Sequence, residues 1–185
     1  MPSSADLTAI FAAAAVDIER AVVGREHPVV LIDGRSGAGK STLAGLVATR
    51  LDATLLALDS VYPGWDGLAA GAHQVLTGVL APRAAGRGGV WHRWDWAAET
   101  TAESHTVPVD RALVIEGSGL LTPASRALSD VQVWLESPES SRRPRALRRD
   151  GDAYRPHWDR WAAQEETHVR AHDPLSLAGI VVSVP

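Results

Sequence analysis

Cysteine is absent from this 185-residue chain, which excludes a disulfide framework and a thiolate zinc site and gives no sign of an oxidising compartment. Positive charge is also scarce. The net charge is −4 and the pI near 5.9, so the chain is not built to hold nucleic acid or an anionic membrane by bulk charge. No apolar run is long enough to cross a bilayer. AIFAAAAV is eight residues, where a spanning helix needs about 20. Asp6 precedes that run and Asp17, Glu19 and Arg20 follow it, the reverse of a secretory leader. Residues 4–23 read instead as an amphipathic helix with Ser4 as N-cap, and a cytoplasmic protein is expected. Lysine is almost missing as well: every basic side chain except Lys40 is arginine. Phenylalanine occurs once and tyrosine twice, against seven tryptophans.

What is present has the rhythm of a parallel sheet covered on both faces. Strands are expected at Val29 to Ile32, Thr54 to Leu58, Ala112 to Ile115, Val131 to Leu135 and Ile180 to Val184, with helices at Lys40 to Arg50, Leu68 to Leu80, Pro138 to Arg149 and Trp158 to Ala171. APRAAGRGGV, residues 81–90, reads as a loose loop on the active-site side. The length suits one α/β domain over residues 1–185, with a small lid at about 138–160.

Gly34-Arg35-Ser36-Gly37-Ala38-Gly39-Lys40-Ser41 fits GxxxxGK[ST] at every fixed position. The apolar strand VVLI runs into it and the helical STLAGLVATRL, opening with Ser41 and Thr42, runs out, which is the context the motif requires. Its glycines let backbone N–H groups converge on an anion at a helix N-terminus. Gly34, Ser36, Gly37, Ala38, Gly39, Lys40, Ser41 and Thr42 are therefore the candidate ATP-binding residues. Lys40 reaches the β- and γ-phosphates and the Ser41 hydroxyl ligates Mg²⁺. The lone lysine has a use here, because a planar guanidinium cannot replace a compact ammonium inside a tight loop. It also argues against a guanine-reading NKxD segment, for which no second lysine exists.

Past the loop the chain offers candidates for the acceptor end. LLALDSVYPGW puts Asp59 at the C-terminal edge of the second strand, where ligands of open parallel sheets collect. A carboxylate there can take the proton of an attacking hydroxyl; the other reading is a turn-forming aspartate. ALVIEGSG ends in Glu116, placed to hold Mg²⁺ beside Ser41. Arg142, Arg145 and Arg149 recur at helical spacing, with Arg148 beside them, and can fold over a transferring phosphate or form a solvated face. Trp65, Trp91, Trp94 and Trp96 fall where an acceptor pocket would be built, whereas Trp134 reads as core. Asp95, between two indoles, and Asp66 are candidates for gripping acceptor hydroxyls. His157 can face the site from the lid, and His92, His157 and His168 are not spaced as zinc ligands.

These segments resemble the uridine kinase and nucleoside kinase branch of the P-loop kinases. IDGRSGAGKST is similar to that branch's phosphate loop, LDSVY to its DSFY segment, RWDW to a YDF-like substrate segment, VIEGSGLL to its LEGIL strand and RRPRALRRD to its arginine-rich lid. The resemblance covers roughly residues 28–184. It implies a P-loop kinase-type three-layer fold with a five-stranded parallel sheet in 2-3-1-4-5 order. It also implies Asp59 as general base, Ser41 and Glu116 on magnesium, Lys40 on phosphate and Arg145 and Arg149 in the lid. The chain departs from the pattern where AAETTAES follows RWDW and where the lid runs RDGDAYRPHW.

The expectation is an ATP- and Mg²⁺-dependent kinase of a small molecule bearing a hydroxyl, a nucleoside first, with Lys40, Asp59, Arg145 and Arg149 catalytic and with Asp59, Asp66, Trp94 and Asp95 on the acceptor. Two rivals are a nucleoside monophosphate kinase, holding an acceptor phosphate on Arg83, Arg87 or Arg93, and an ATP-gated binding protein with its tryptophans on a partner surface. Neither nucleic acid nor membrane is an expected partner.

Overall fold

A computed structural model describes residues 4–185, with side chains from Asp6 onward; the expected cap at Ser4 lies outside the described side chains. The chain opens with helix α1 (Ser4–Ala21), strand β1 (Val29–Gly34), helix α2 (Lys40–Leu51) and strand β2 (Thr54–Ala57). A single 3-10 turn, Leu58–Ser60, closes β2. Helix α3 (Leu68–Val75) runs through a π-helical segment, Leu76–Leu80, into α4 (Ala81–Ala84). A hairpin of β3 (Gly89–Asp95) and β4 (Thr100–Val107) follows, then β5 (Leu113–Glu116), the short helix α5 (Pro123–Arg126) and β6 (Val131–Glu136). Helices α6 (Glu139–Tyr154), α7 (Trp158–His172) and α8 (Pro174–Leu177) and strand β7 (Ile180–Ser183) complete the fold.

Five strands form a parallel sheet in the order β2-β5-β1-β6-β7. Counted over the sheet strands alone this is the expected 2-3-1-4-5. Strand β1 is central and buried on both faces, which is why its sequence is a continuous apolar run. Its side chains alternate between two cores. Val29 and Leu31 join Leu68, Val75, Tyr154, Trp158 and Trp161 on one face. Val30 and Ile32 join Phe11, Ile18, Leu43 and Val47 on the other. Truncating any fully buried member such as Leu31 to alanine costs about 2–5 kcal/mol.

Two expectations are corrected. Residues 81–90 are not a loose loop: α4 occupies their start, and Arg83 is buried, donating to the carbonyl oxygens of Pro108 at 2.6 Å, His27 at 2.8 Å and Arg111. The β3–β4 hairpin was not expected at all. It lies outside the main sheet and is mostly solvated, so its sequence carries no buried apolar face to mark it. Cross-strand pairs hold it instead, with Trp91 stacked on His105 at 4.5 Å and Arg93 donating to Glu103 at 2.7 Å.

Candidate active site

The phosphate loop is shaped by three left-handed or otherwise glycine-only positions, Gly34 (φ 150°), Gly37 (φ 79°) and Gly39 (φ 102°). At Gly37 space matters as much as conformation, because a Cβ there would collide with the carbonyl of Arg142. Helix α2 starts after Gly39 with no side chain capping it. Its first amides therefore face the cradle without an internal acceptor, the condition for binding an anion.

Lys40 lies in this cradle, 3.3 Å from the Arg35 carbonyl and 3.1 Å from Ser118 Oγ. Ser41 Oγ donates to Glu116 Oε1 at 3.0 Å, so strand β5 delivers its terminal acid to the first turn of α2. Burial holds the Glu116 carboxyl above its ordinary range, with Lys40 and the Ser41 hydrogen bond opposing and Asp59 adding to the rise. A buried carboxylate in this condition gains from a cation. Hydroxyl and carboxylate oxygens are the donor types magnesium takes alongside phosphate oxygens. No cluster of three or more His, Asp or Glu side chains that could hold a metal ion by themselves exists among the described residues.

A cavity of about 200 Å³ is lined by Ser36, Gly37, Gly39, Lys40, Ser41, Thr42, Asp59, Glu116, Ser118, Arg145 and Arg149. Sequence reasoning thus named most of what the fold gathers here; Gly34 and Ala38 lie in the loop behind it. A second cavity, about 430 Å³, has walls of Tyr62, Trp65, Trp96, Tyr154 and Trp161, with Asp150 at its edge. Ser36, Asp59 and Arg149 line both. Asp59 sits in the turn after β2 with its carboxylate largely exposed; the charged group nearest it among the described residues is Arg149, at 4.0 Å. Trp96 Nε1 donates to the Asp59 carbonyl at 2.8 Å, tying the hairpin tip to the turn.

The arginines of α6 divide. Arg149 is held bidentate by Asp150, at 2.7 Å for both bonds, a pairing that raises its pKa. Arg145 donates to the Ser141 carbonyl at 3.0 Å and to Ser137 Oγ at 2.5 Å; burial first, then Arg142 and Arg148, lower its pKa. Arg142 does not fold over the cavity. It is buried beneath the loop and donates to the carbonyls of Ser137 at 2.9 Å and Ser36 at 3.0 Å.

Three acceptor assignments are corrected. Asp66 forms a bidentate pair with Arg160, whose hydrogen bonds lower its pKa, and so clamps the loop before α3 to α7. Asp95 Oδ1 accepts from the amides of Ala97 and Ala98, both at 3.0 Å, and these bonds hold its pKa down; it shapes the hairpin turn. Trp94 lines neither cavity, and its buried Nε1 has no partner. A register shift between His92 and Trp94 re-aims the strand, and Trp96 reaches the pocket instead. The arginines proposed for an acceptor phosphate also lie elsewhere: Arg83 is structural, Arg93 is paired with Glu103 and Asp95, and Arg87 is exposed. Of the tryptophans, Trp96 alone is exposed among the described residues, at 37%, and Trp65, Trp91 and Trp94 are half-buried. Trp134 is buried as expected, and His157 stacks on Trp65 at 4.2 Å.

Three residues went unnoticed. Glu165, buried in α7, accepts from the Ser36 amide at 2.7 Å and lies 2.9 Å from Ser118 Oγ. Ser118 supports Lys40, and its carbonyl accepts from the Tyr62 hydroxyl at 2.7 Å. Asp33, at 1% exposure, accepts from the amides of Gly34 at 2.6 Å, Gly119 at 3.1 Å and Leu121 at 2.7 Å. An acid at the end of an apolar strand was a usable signal for Asp33. Glu165 had none, since its helix position reads like any other.

No family model matches the chain, and no curated protein does. Solved structures do. A possible uridine kinase from Bacillus stearothermophilus superposes with a TM-score of 0.71 at 19% identity, over 95% of this chain and 98% of that one. A provisionally assigned fructose transport system kinase from Silicibacter sp. TM1040 gives a TM-score of 0.54 at 19% identity, over 95% and 98% of the two chains. Likeness at this identity speaks for architecture, and it agrees with the strand order and the glycine loop: the chain has the P-loop kinase fold.

Proposed function

We propose that the protein is an ATP-dependent phosphotransferase that moves the γ-phosphate to a hydroxyl of a small molecule. The observation that carries this reading is that the phosphate cavity and the aromatic cavity meet at one carboxylate, Asp59. An acceptor hydroxyl needs a base, whereas an acceptor phosphate does not. In the step, the acceptor oxygen forms a bond to the γ-phosphorus, the bond from that phosphorus to the β-bridging oxygen breaks, and the proton goes to Asp59. ADP leaves with the bridging oxygen.

Lys40 and the free amides at the start of α2 hold the phosphates, and Arg145 and Arg149 neutralise charge on the transferring group. Ser41 and Glu116 would hold Mg²⁺, which supplies charge neutralisation at the phosphate oxygens. The acceptor binds against Trp65 and Trp96 and presents its hydroxyl to Asp59. A nucleoside is the acceptor class expected from the sequence, and the pocket supports more generally a hydroxylated molecule with a group that packs on aromatic faces.

The test is ADP release with Mg·ATP, scanned across nucleosides, nucleoside monophosphates and simple hydroxylated metabolites. Stimulation by one acceptor class, reduced roughly 10²–10³-fold in Lys40→Ala, is the expected result. Stimulation by monophosphates alone, or a slow ATPase indifferent to every acceptor, would overturn it.

A further inference from the structure

We infer that the acceptor is an alcohol carrying a positive charge, a protonated or quaternary amino alcohol, and not a neutral nucleoside. The inference rests on the kinase reading above and narrows its acceptor. It comes from what the aromatic cavity contains and what it lacks.

Five aromatic rings wall a space of about 430 Å³. They form a connected surface: Trp65 is parallel to Tyr154 at 5.5 Å and tilted to Trp96 at 4.8 Å, and Tyr62 meets Trp161 edge-on at 4.8 Å. The ionised groups on the same cavity are Asp59, Asp150 and Arg149. Two carboxylates against one guanidinium leave one excess negative charge; Arg149 is held bidentate by Asp150 and lies 4.0 Å from Asp59, so the exposed Asp59 carboxylate carries that excess. An aromatic wall beside one unbalanced carboxylate favours an ammonium group, through the ring quadrupoles and that charge together. The same charge balance disfavours an anionic acceptor.

Reading a neutral base needs paired donors and acceptors aimed at its edge, and side-chain amides are well suited to supply them. The chain contains no asparagine. Gln74 accepts from the His92 amide, Gln132 donates to the Ser129 carbonyl, and Gln164 bridges Trp65 and Leu68, so none of its three glutamines lines the cavity. Of the charged side chains on the cavity, Arg149 and Asp150 hold each other, which leaves Asp59 to meet a hydroxyl. Asp59 accepts, and the Tyr154 hydroxyl is sealed against Ser36 without a well-formed hydrogen bond. The ammonium packs on Trp65 and Trp96, and the alcohol points to Asp59.

The experiment compares choline, ethanolamine and 3,3-dimethylbutan-1-ol, the neutral isostere of choline, with uridine as a neutral nucleoside. Binding is followed by tryptophan fluorescence and transfer by ADP release with Mg·ATP. A cationic alcohol is expected to bind at least about tenfold more tightly than the neutral isostere, and Trp96→Ala should raise its KM about tenfold with a smaller change in kcat. Trp96→Phe should recover most of that loss. Equal binding of choline and its isostere, preference for uridine, or no binding of either cation at millimolar concentration would each overturn the inference. Cation binding without ADP release would leave the cationic site standing and remove the kinase reading. ADP release with neutral acceptors alone would do the opposite.

Discussion

The two cavities that meet at Asp59 are built in opposite ways. Around the phosphate loop nearly every polar group has a partner. Glu165 takes the Ser36 amide, Ser118 supports Lys40, Ser41 meets Glu116, and Arg142 takes the Ser36 carbonyl. The aromatic cavity is a wall of rings drawn from the β2–α3 connection, the hairpin tip, the end of α6 and α7, and is the side proposed for the acceptor. A triphosphate is a fixed shape with fixed charge, so it suits a cradle whose supporting groups are bonded to one another while the first amides of α2 are left free to meet it. An acceptor differs from one kinase to the next, and apolar surface can change shape without leaving buried groups unpaired.

The largest expected effect tests the one residue the halves share. Asp59→Asn should lower kcat by about 10²–10⁴-fold, the ordinary value of a positioned base, while nucleotide affinity measured by calorimetry stays near that of the parent. If turnover persists, Asp59 is a turn residue and the halves do not meet at a base.

Stability should separate the two regions next. Glu165→Ala leaves Arg142 without its buried counter-charge at 4.0 Å and frees the Ser36 amide. Urea denaturation should report a loss of about 3 kcal/mol, together with weak ATP binding. Trp96→Ala, at an exposed position, should leave the urea midpoint close to that of the parent. Equal losses in the two variants would show that the contrast between cradle and wall is unreal.

A smaller effect is expected from Glu116→Gln. Burial raises the Glu116 pKa, so between its unfolded and folded values the native state binds more protons. Stability contributed by this group is therefore full below the unfolded value and falls as pH rises through the raised one. The variant should flatten that fall and unfold at a higher temperature near neutral pH in the absence of metal, yet turn over slowly because magnesium exchanges an anionic carboxylate for a neutral amide oxygen. Thermal scans against pH check the first half and magnesium titration of the rate the second. Smallest of all should be Asp66→Asn and Asp95→Asn, whose carboxylates serve a surface clamp and a turn. Their kinetic constants should stay within about twofold of the parent, and a larger rise in acceptor KM would return them to the pocket.

The same contrast explains what could be read in the amino-acid sequence. Gly34 to Ser41 is a contiguous loop whose chemistry dictates both residue type and spacing, and Glu116 ends a strand of uninterrupted apolar residues. The parallel sheet was legible for a related reason, since strands buried on both faces cannot hide among polar residues. The hairpin was not, because neither of its faces is buried in the core. Trp94 rested on the likeness of RWDW to a substrate segment, and nothing in that segment shows that β3 ends at Asp95 and that Trp96, beyond it, lines the aromatic cavity. Arg142 falls at the same helical spacing as Arg145 and Arg149, but it lies in the first turn of α6, where the helix is pressed against Gly37. Glu165 belongs to the loop only through the packing of α7, a contact about 130 residues away in the chain that local pattern does not encode.

The close approach of Arg142 to Gly37 has a mechanical consequence. The near end of α6 is fastened to the loop by its backbone and by its guanidinium on Ser36, while the far end is interrupted at Gly151, in a conformation reserved for glycine. Glycine is thus needed near both ends of α6 for different reasons: at Gly37 for room, because a Cβ there would push the Arg142 carbonyl and the first turn of the helix off the phosphate loop, and at Gly151 for backbone conformation alone, with open space around it.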